Sequence, residues 1–202
     1  EAMQERKVTI GDASHPLPTP FLVIATQNPI EQAGTFELPE AQLDRFMLCH
    51  RIDYPTPDQE ETVLRRQLAM GLKRNEGGAV PKTAFDMIQD EPVCGIEELS
   101  AAMETVQKVH VSDVFMKHCV ELVRLTREHP AIELGCSPRA ALAVVQAARA
   151  RAFVMDRDFV TPEDLFELAE DVVLHRIRLS YEALADGQKP EQVLEDMLHQ
   201  LG

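Results

Sequence analysis

Residues 21 to 25 read Phe-Leu-Val-Ile-Ala, five apolar side chains in a row, with Pro20 before them and Asn28-Pro29 shortly after. A strand that alternates apolar and polar residues can leave one face in water, whereas a continuous apolar run needs cover on both faces. The run therefore implies a strand of a parallel sheet, and such a sheet brings crossover helices with it. Asn28-Pro29 ends the strand, Gly34 loosens the following loop, and residues 46–54 read as another strand. Upstream, residues 7–10 and 15–17 flank Gly11-Asp12 as a small hairpin, and Pro16, Pro18 and Pro20 punctuate the link to the apolar run.

After Tyr54-Pro55-Thr56-Pro57 the pattern changes to amphipathic helix, with Val63, Leu64, Leu68 and Leu72 at helical spacing. A domain boundary belongs there. Residues 71–92, with Gly77-Gly78, Pro81 and Pro92, read as a long connection holding one short helix near 83–89. Helices are expected over about 96–106, 112–128, 138–153 and 162–179, and a last short one after Lys189-Pro190. The fourth carries the clearest start signal, with Thr161 at the N-cap, Pro162 at the first helical position and Asp164 closing a capping box.

Charge and composition narrow the function. Lys plus Arg number 20 against 34 Asp plus Glu, a formal charge of −14, which would be repelled by phosphate backbones and anionic lipid. Neither nucleic-acid binding nor direct membrane insertion is expected, since no apolar run approaches the roughly 20 residues a bilayer demands. The four cysteines have no C-x-x-C spacing, and His110, His118 and His129 match no zinc signature, so reduced thiols in a cytoplasm and no resident metal are the expectation. The first six residues are helix-like but bring neither an initiator Met nor a cap, which suggests a start further upstream.

Three positions could carry chemistry. Asn28 follows the buried strand, where an open α/β sheet presents side chains to a ligand, although Asn-Pro is also an ordinary turn. In Pro-Glu-Ala-Gln-Leu-Asp-Arg-Phe (residues 39–46), Leu43 and Phe46 share a helix face and leave Asp44 and Arg45 pointing elsewhere, so Arg45 could reach a partner or merely be solvated. Ser137-Pro138-Arg139 puts a cation at the second position of a helix, unfavourable against the dipole unless an anion arrives or a nearby carboxylate pairs with it.

Taken in order, EAMQERKVTIGD, PLPTPFLVIATQNPIEQAGTFELPEAQLDRF, GCSPRAAL, VTPEDL and VVLHRI resemble the MoxR-type AAA+ ATPases over nearly the whole chain. The resemblance implies an α/β plus all-α architecture. Residues 1–55 would be the C-terminal part of a P-loop-type parallel-sheet core, and residues 56–202 a helical lid. It also implies roles: Asn28 as sensor 1 facing the γ-phosphate and attacking water, Arg45 as an arginine finger acting in trans, and Arg139 as the lid's sensor 2 on ATP phosphate. ATP and Mg²⁺ would be the cofactors, the assembly a homo-oligomeric ring such as a hexamer, and the clients other proteins, alongside partners with a von Willebrand factor A domain.

The chain lacks the G-x-x-x-x-G-K-[ST] loop that cradles phosphates and the acidic strand end that holds Mg²⁺. Both cofactors would depend on residues upstream of Glu1, so this chain alone is expected to bind ATP weakly and not hydrolyse it. Two alternatives stand beside a chaperone-like ATPase. One is a non-hydrolysing regulatory or assembly subunit derived from the AAA+ fold. The other, disfavoured by the charge, is a helix-turn-helix DNA binder built from residues 112–153.

Overall fold

The structure is a computed structural model that describes residues 5–27, 38–75, 77–87 and 92–201. It divides into two units, one drawn from Glu1–His50 and Ser100–Gly202, the other from Arg51–Leu99. The first unit opens with strands β1 (Lys7–Ile10) and β2 (Ala13–Pro16), antiparallel with Lys7 opposite Pro16. Gly11 closes the hairpin at φ +61°, a conformation that glycine adopts without strain.

Residues 21–27 take no regular element, and neither does any part of 46–54 within the described residues. This departs from the two expected strands. A strand draws its backbone hydrogen bonds from a neighbour, and the sheets among the described residues are three separate antiparallel pairs, none of which includes either segment. Between them lies α1 (Glu40–Leu43), a single turn with no buried residue.

In the second unit α2 (Pro57–Ala69) starts at a Thr56 capping box, in which the Thr56 N–H donates to Gln59 Oε1 at 2.9 Å. The connection read as a loop contains a hairpin, β3 (Leu72–Asn75) with β4 (Gly78–Pro81), and a 3₁₀ turn at Ala84–Met87. Lys73, on β3, pairs with Asp86, and the Thr83 N–H donates to the same carboxylate at 2.7 Å. These bonds hold Asp86 at a pKa of about 2.

The helix α3 (Ile96–Lys108) precedes the lid proper, which is built from α4 (Asp113–Glu128), α5 (Pro138–Val154), α6 (Pro162–Val173) and α8 (Pro190–Leu201). Strand β5 (Ile132–Leu134) pairs antiparallel with β6 (Arg178–Leu179), and the short α7 (Tyr181–Ala185) leads into α8. The expected fourth helix thus ends early: α6 stops at Val173, and Leu174–Arg176 forms a 3₁₀ turn.

Helix α5 packs against α4 and α6, and α8 closes over α4 and α6. Ala140, Ala143, Ala148 and Ala152 line one face of α5 and let the neighbouring helices approach closely. Leu122, Val144, Val172, Val173 and Met197 are fully enclosed. At the start of α6, Asp164 is buried as well; burial alone would raise its pKa, but bonds from Arg157, the Thr161 N–H and Arg151 outweigh it and hold the carboxyl at about 2.

Candidate functional site

The head of α5 is fixed by its own motif. A Cβ on Gly135 would lie 2.6 Å from the Thr126 carbonyl oxygen and 2.8 Å from Arg127 Cα, so only glycine lets the chain pass α4 this closely. The Cys136 N–H donates to Thr126 Oγ1 at 2.9 Å, and its carbonyl accepts from Arg127 Nε at 2.8 Å. Ser137 then caps the helix by accepting the Arg139 N–H at 3.2 Å. Burial pushes the Cys136 thiol up to about 11, which leaves it protonated and unsuited to nucleophilic work.

Arg139 sits at the second helical position, as expected, with 53% of its side chain exposed, and its Nη1 lies 3.4 Å from Asp44 Oδ2. The nearby carboxylate weighed for it at the sequence level is therefore present. Ser137 Oγ also donates to Asp44, at 3.0 Å to Oδ1 and 2.9 Å to Oδ2. An anion at a helix N-terminus offsets the cost of a cation there.

Asp44 belongs to a second partner more deeply. Arg176, in the 3₁₀ turn after α6, has 2% of its side chain exposed and donates from Nε to Asp44 Oδ1 at 3.1 Å. Its Nη1 bonds the Met47 carbonyl at 3.3 Å and the Val172 carbonyl, while Nη2 bonds the Asp44 carbonyl at 3.2 Å and the Phe46 carbonyl. All five guanidinium donors are thus used. His175 Nε2 reaches the same Phe46 carbonyl at 3.3 Å, and His175 Nδ1 is buried without a partner among the described residues. Burial, helped by the adjacent Arg176 charge, pulls the His175 pKa down to about 4 and keeps the ring neutral.

Further bonds run along the same segment. Glu40 pairs with Arg178, the Cys49 N–H donates to the Asp171 carbonyl at 2.8 Å, and His50 Nδ1 lies 3.1 Å from Asp171 Oδ1. Residues 40–50 are strapped across the end of the lid. Arg45 leaves this strap exposed, and its side chain has no hydrogen-bond or ion-pair partner among the described residues. Asn28 lies outside the described residues. The structure therefore brings Arg139 next to the residue preceding Arg45. Sequence reasoning missed Asp44 and Arg176, both of which stand inside quoted motifs.

Two family models match the chain: the ATPase family associated with various cellular activities over residues 1–48, and the AAA lid domain over residues 124–197. The chain is 37% identical over 201 residues to "Chaperone MoxR1" of Mycobacterium tuberculosis, a match covering 98% of this chain and 51% of that protein. The chain belongs to the MoxR branch of the AAA+ family. The "Uncharacterized protein YeaC" of Bacillus subtilis is also 37% identical, with 98% of this chain and 58% of that protein covered. Among solved structures, that of a Cytophaga hutchinsonii protein named as a candidate ATPase has a TM-score of 0.78 at 39% identity, covering 98% of this chain and 58% of that one. The chain thus spans about half the length of the curated relatives it matches. Its fold is that of an AAA+ protein with an AAA lid.

Among the described residues no group of three or more His, Cys, Asp or Glu side chains could hold a metal ion, and no helix is long and apolar enough to cross a membrane. Arg139 is half exposed at a helix head, a place whose backbone N–H groups can accept an anion, and Arg45, next in sequence to its partner Asp44, is exposed. The phosphate-cradling G-x-x-x-x-G-K-[ST] loop does not occur in this sequence.

Proposed function

We propose that this chain is the sensor and lid portion of a MoxR-type ATPase that hydrolyses Mg-ATP in a ring and uses the cycle to remodel protein partners. The observation that carries this reading is the juxtaposition at the lid end: Arg139 at the head of α5 meets the carboxylate of Asp44, whose sequence neighbour Arg45 is exposed. Phosphoryl transfer asks little covalent chemistry of a protein and much positive charge, held where the γ-phosphate develops its negative charge. In this reading Arg139 is sensor 2 and contacts ATP phosphate. Arg45 is the arginine finger and acts on the nucleotide of the neighbouring subunit. Asn28 is sensor 1 and orients the attacking water through its carboxamide.

Mg²⁺ and the β-phosphate would be held by a P-loop segment outside this chain. The ring is a homo-oligomer, six subunits being the arrangement carried over by resemblance. Clients are proteins, a von Willebrand factor A domain protein among them, and the compartment is the cytoplasm. "Chaperone MoxR1" lends the client reading its support through its name.

Mixed rings test the division of labour. In the full-length gene product, Arg45→Ala and a Walker A lysine variant should each be nearly inactive as homogeneous rings, since every interface lacks either a finger or a cradle. Arginine fingers contribute roughly 10³–10⁵ in rate in GTPases. Rings containing both variants, verified by mass measurement, should recover part of the activity. If they stay as inactive as their parents, Arg45 does not act across the interface.

A further inference from the structure

A helix of four residues with nothing buried cannot hold its own geometry, since even an isolated helix several times as long is marginal in water. The direction of Arg45 must therefore be set from outside α1, and the bonds that set it are identifiable. Arg176 grips the backbone on both sides of Arg45, bonding the carbonyls of Asp44 and Phe46, and adds the Met47 carbonyl one residue further on. Its Nε holds the Asp44 side chain, and that carboxylate reaches on to Ser137 and Arg139. A guanidinium alone combines five donors in a planar fork, so lysine could replace the charge of Arg176 but not this pattern.

Resting on the ATPase reading above, we propose that Arg176 and Asp44 are positioning residues that aim Arg45 and join it to the head of α5. The buried guanidinium makes the Arg45-bearing turn and the lid one piece. A shift of the lid is thereby a shift of the finger, and Arg139 is tied to the same carboxylate. Neither Arg176 nor Asp44 touches nucleotide in this arrangement.

The test uses full-length rings carrying Arg176→Lys, Asp44→Asn or Arg45→Ala. Arg176→Lys and Asp44→Asn should lower kcat about 10- to 100-fold while KM for ATP stays within about 3-fold, because the finger acts in the transition state. Each should also regain activity when mixed with Walker A lysine variant subunits, which supply a well-aimed finger to an intact cradle. A general loss of folding would not be cured by mixing. Should Arg176→Lys fail to assemble, the near-isosteric Asp44→Asn carries the same prediction. In the 202-residue chain it should also raise amide exchange at Phe46 and Cys49 while α4 and α5 stay protected. Both variants hydrolysing ATP like wild type while Arg45→Ala is inactive would overturn the proposal, as would losses that mixing cannot recover. A wild-type ring without ATPase activity would instead overturn the nucleotide reading, and it is recognised before any variant is compared.

Discussion

Phe21–Ala25 is continuously apolar and the lid helices are apolar along one stripe, yet the two meet opposite surroundings. Phe21, Leu22 and Ile24 are 40%, 77% and 80% exposed, whereas Leu122, Val172 and Val173 are wholly covered. The difference lies in where each element finds its partners. A helix satisfies its own backbone and needs only a neighbouring stripe to bury its apolar face, which α4, α5, α6 and α8 provide for one another. A doubly buried strand needs a ladder on each edge and a layer on each face. Among the described residues nothing pairs with 21–27. The strap at 40–50 is an intermediate case, neither sheet nor helix bundle, held to the lid by hydrogen bonds to backbone carbonyls and one buried guanidinium.

The same substitution in both regions should give very different costs. Leu122→Ala empties a fully enclosed site and should destabilise the chain by about 3–4 kcal/mol, while Leu22→Ala should stay within about 0.5 kcal/mol. Denaturant unfolding of the two variants measures both. Equal costs would mean that residues 21–25 are packed after all, and the contrast would collapse.

The strap can be separated from the bundle by pH. His175 has a pKa near 4 in the folded chain against an ordinary value of 6.5. Between these values the unfolded chain binds the extra proton, so stability should fall as pH drops from about 6.5 to about 4, by roughly 2–3 kcal/mol in total. His175→Gln should flatten that limb of the curve while leaving stability above pH 7 within about 1 kcal/mol, since glutamine can still donate to the Phe46 carbonyl. Asp164 and Asp86 add their own losses only further down, as pH falls through their folded values of about 2. A wild-type curve that is level from pH 7 to pH 4 would place His175 in water.

The two glycines that matter mark the same contrast on a smaller scale. Gly135→Ala drives a Cβ into the α4 backbone and should cost about 1–3 kcal/mol, with the head of α5 displaced. Gly11→Ala meets no atom within 4 Å and should cost about 1 kcal/mol through its positive φ alone. Thermal unfolding of both, together with amide exchange at Arg139, separates the local effect from the global one.

How much of this was legible depended on whether the controlling interaction was local. Ser137 and Pro138 announced the head of α5, and Thr161, Pro162 and Asp164 that of α6, because a cap is written within four residues. Nothing local to Asp44 points to Arg176, which is 132 residues away, and helical spacing alone would carry α6 through the turn where Arg176 sits. The β3–β4 hairpin was hidden for another reason. Gly77-Gly78 reads as a connection as readily as a turn, and the flanking Leu72–Asn75 and Gly78–Pro81 hardly alternate. The expectation for residues 21–25 followed from their pattern, but a pattern records what a segment needs and not whether its partners are at hand.

The proposal common to both regions is that Arg139 and Arg45 serve a bound nucleotide whose phosphate cradle, a G-x-x-x-x-G-K-[ST] loop, does not occur in this sequence. Isothermal calorimetry of the 202-residue chain with Mg-ATP at millimolar concentration addresses it directly. In the proposed reading Arg139 reaches at most the terminal phosphate, so heat should be small and non-saturating, and no better with Arg139 intact than with Arg139→Ala by more than a few-fold. Tight, stoichiometric binding of Mg-ATP by this chain alone would contradict the claim.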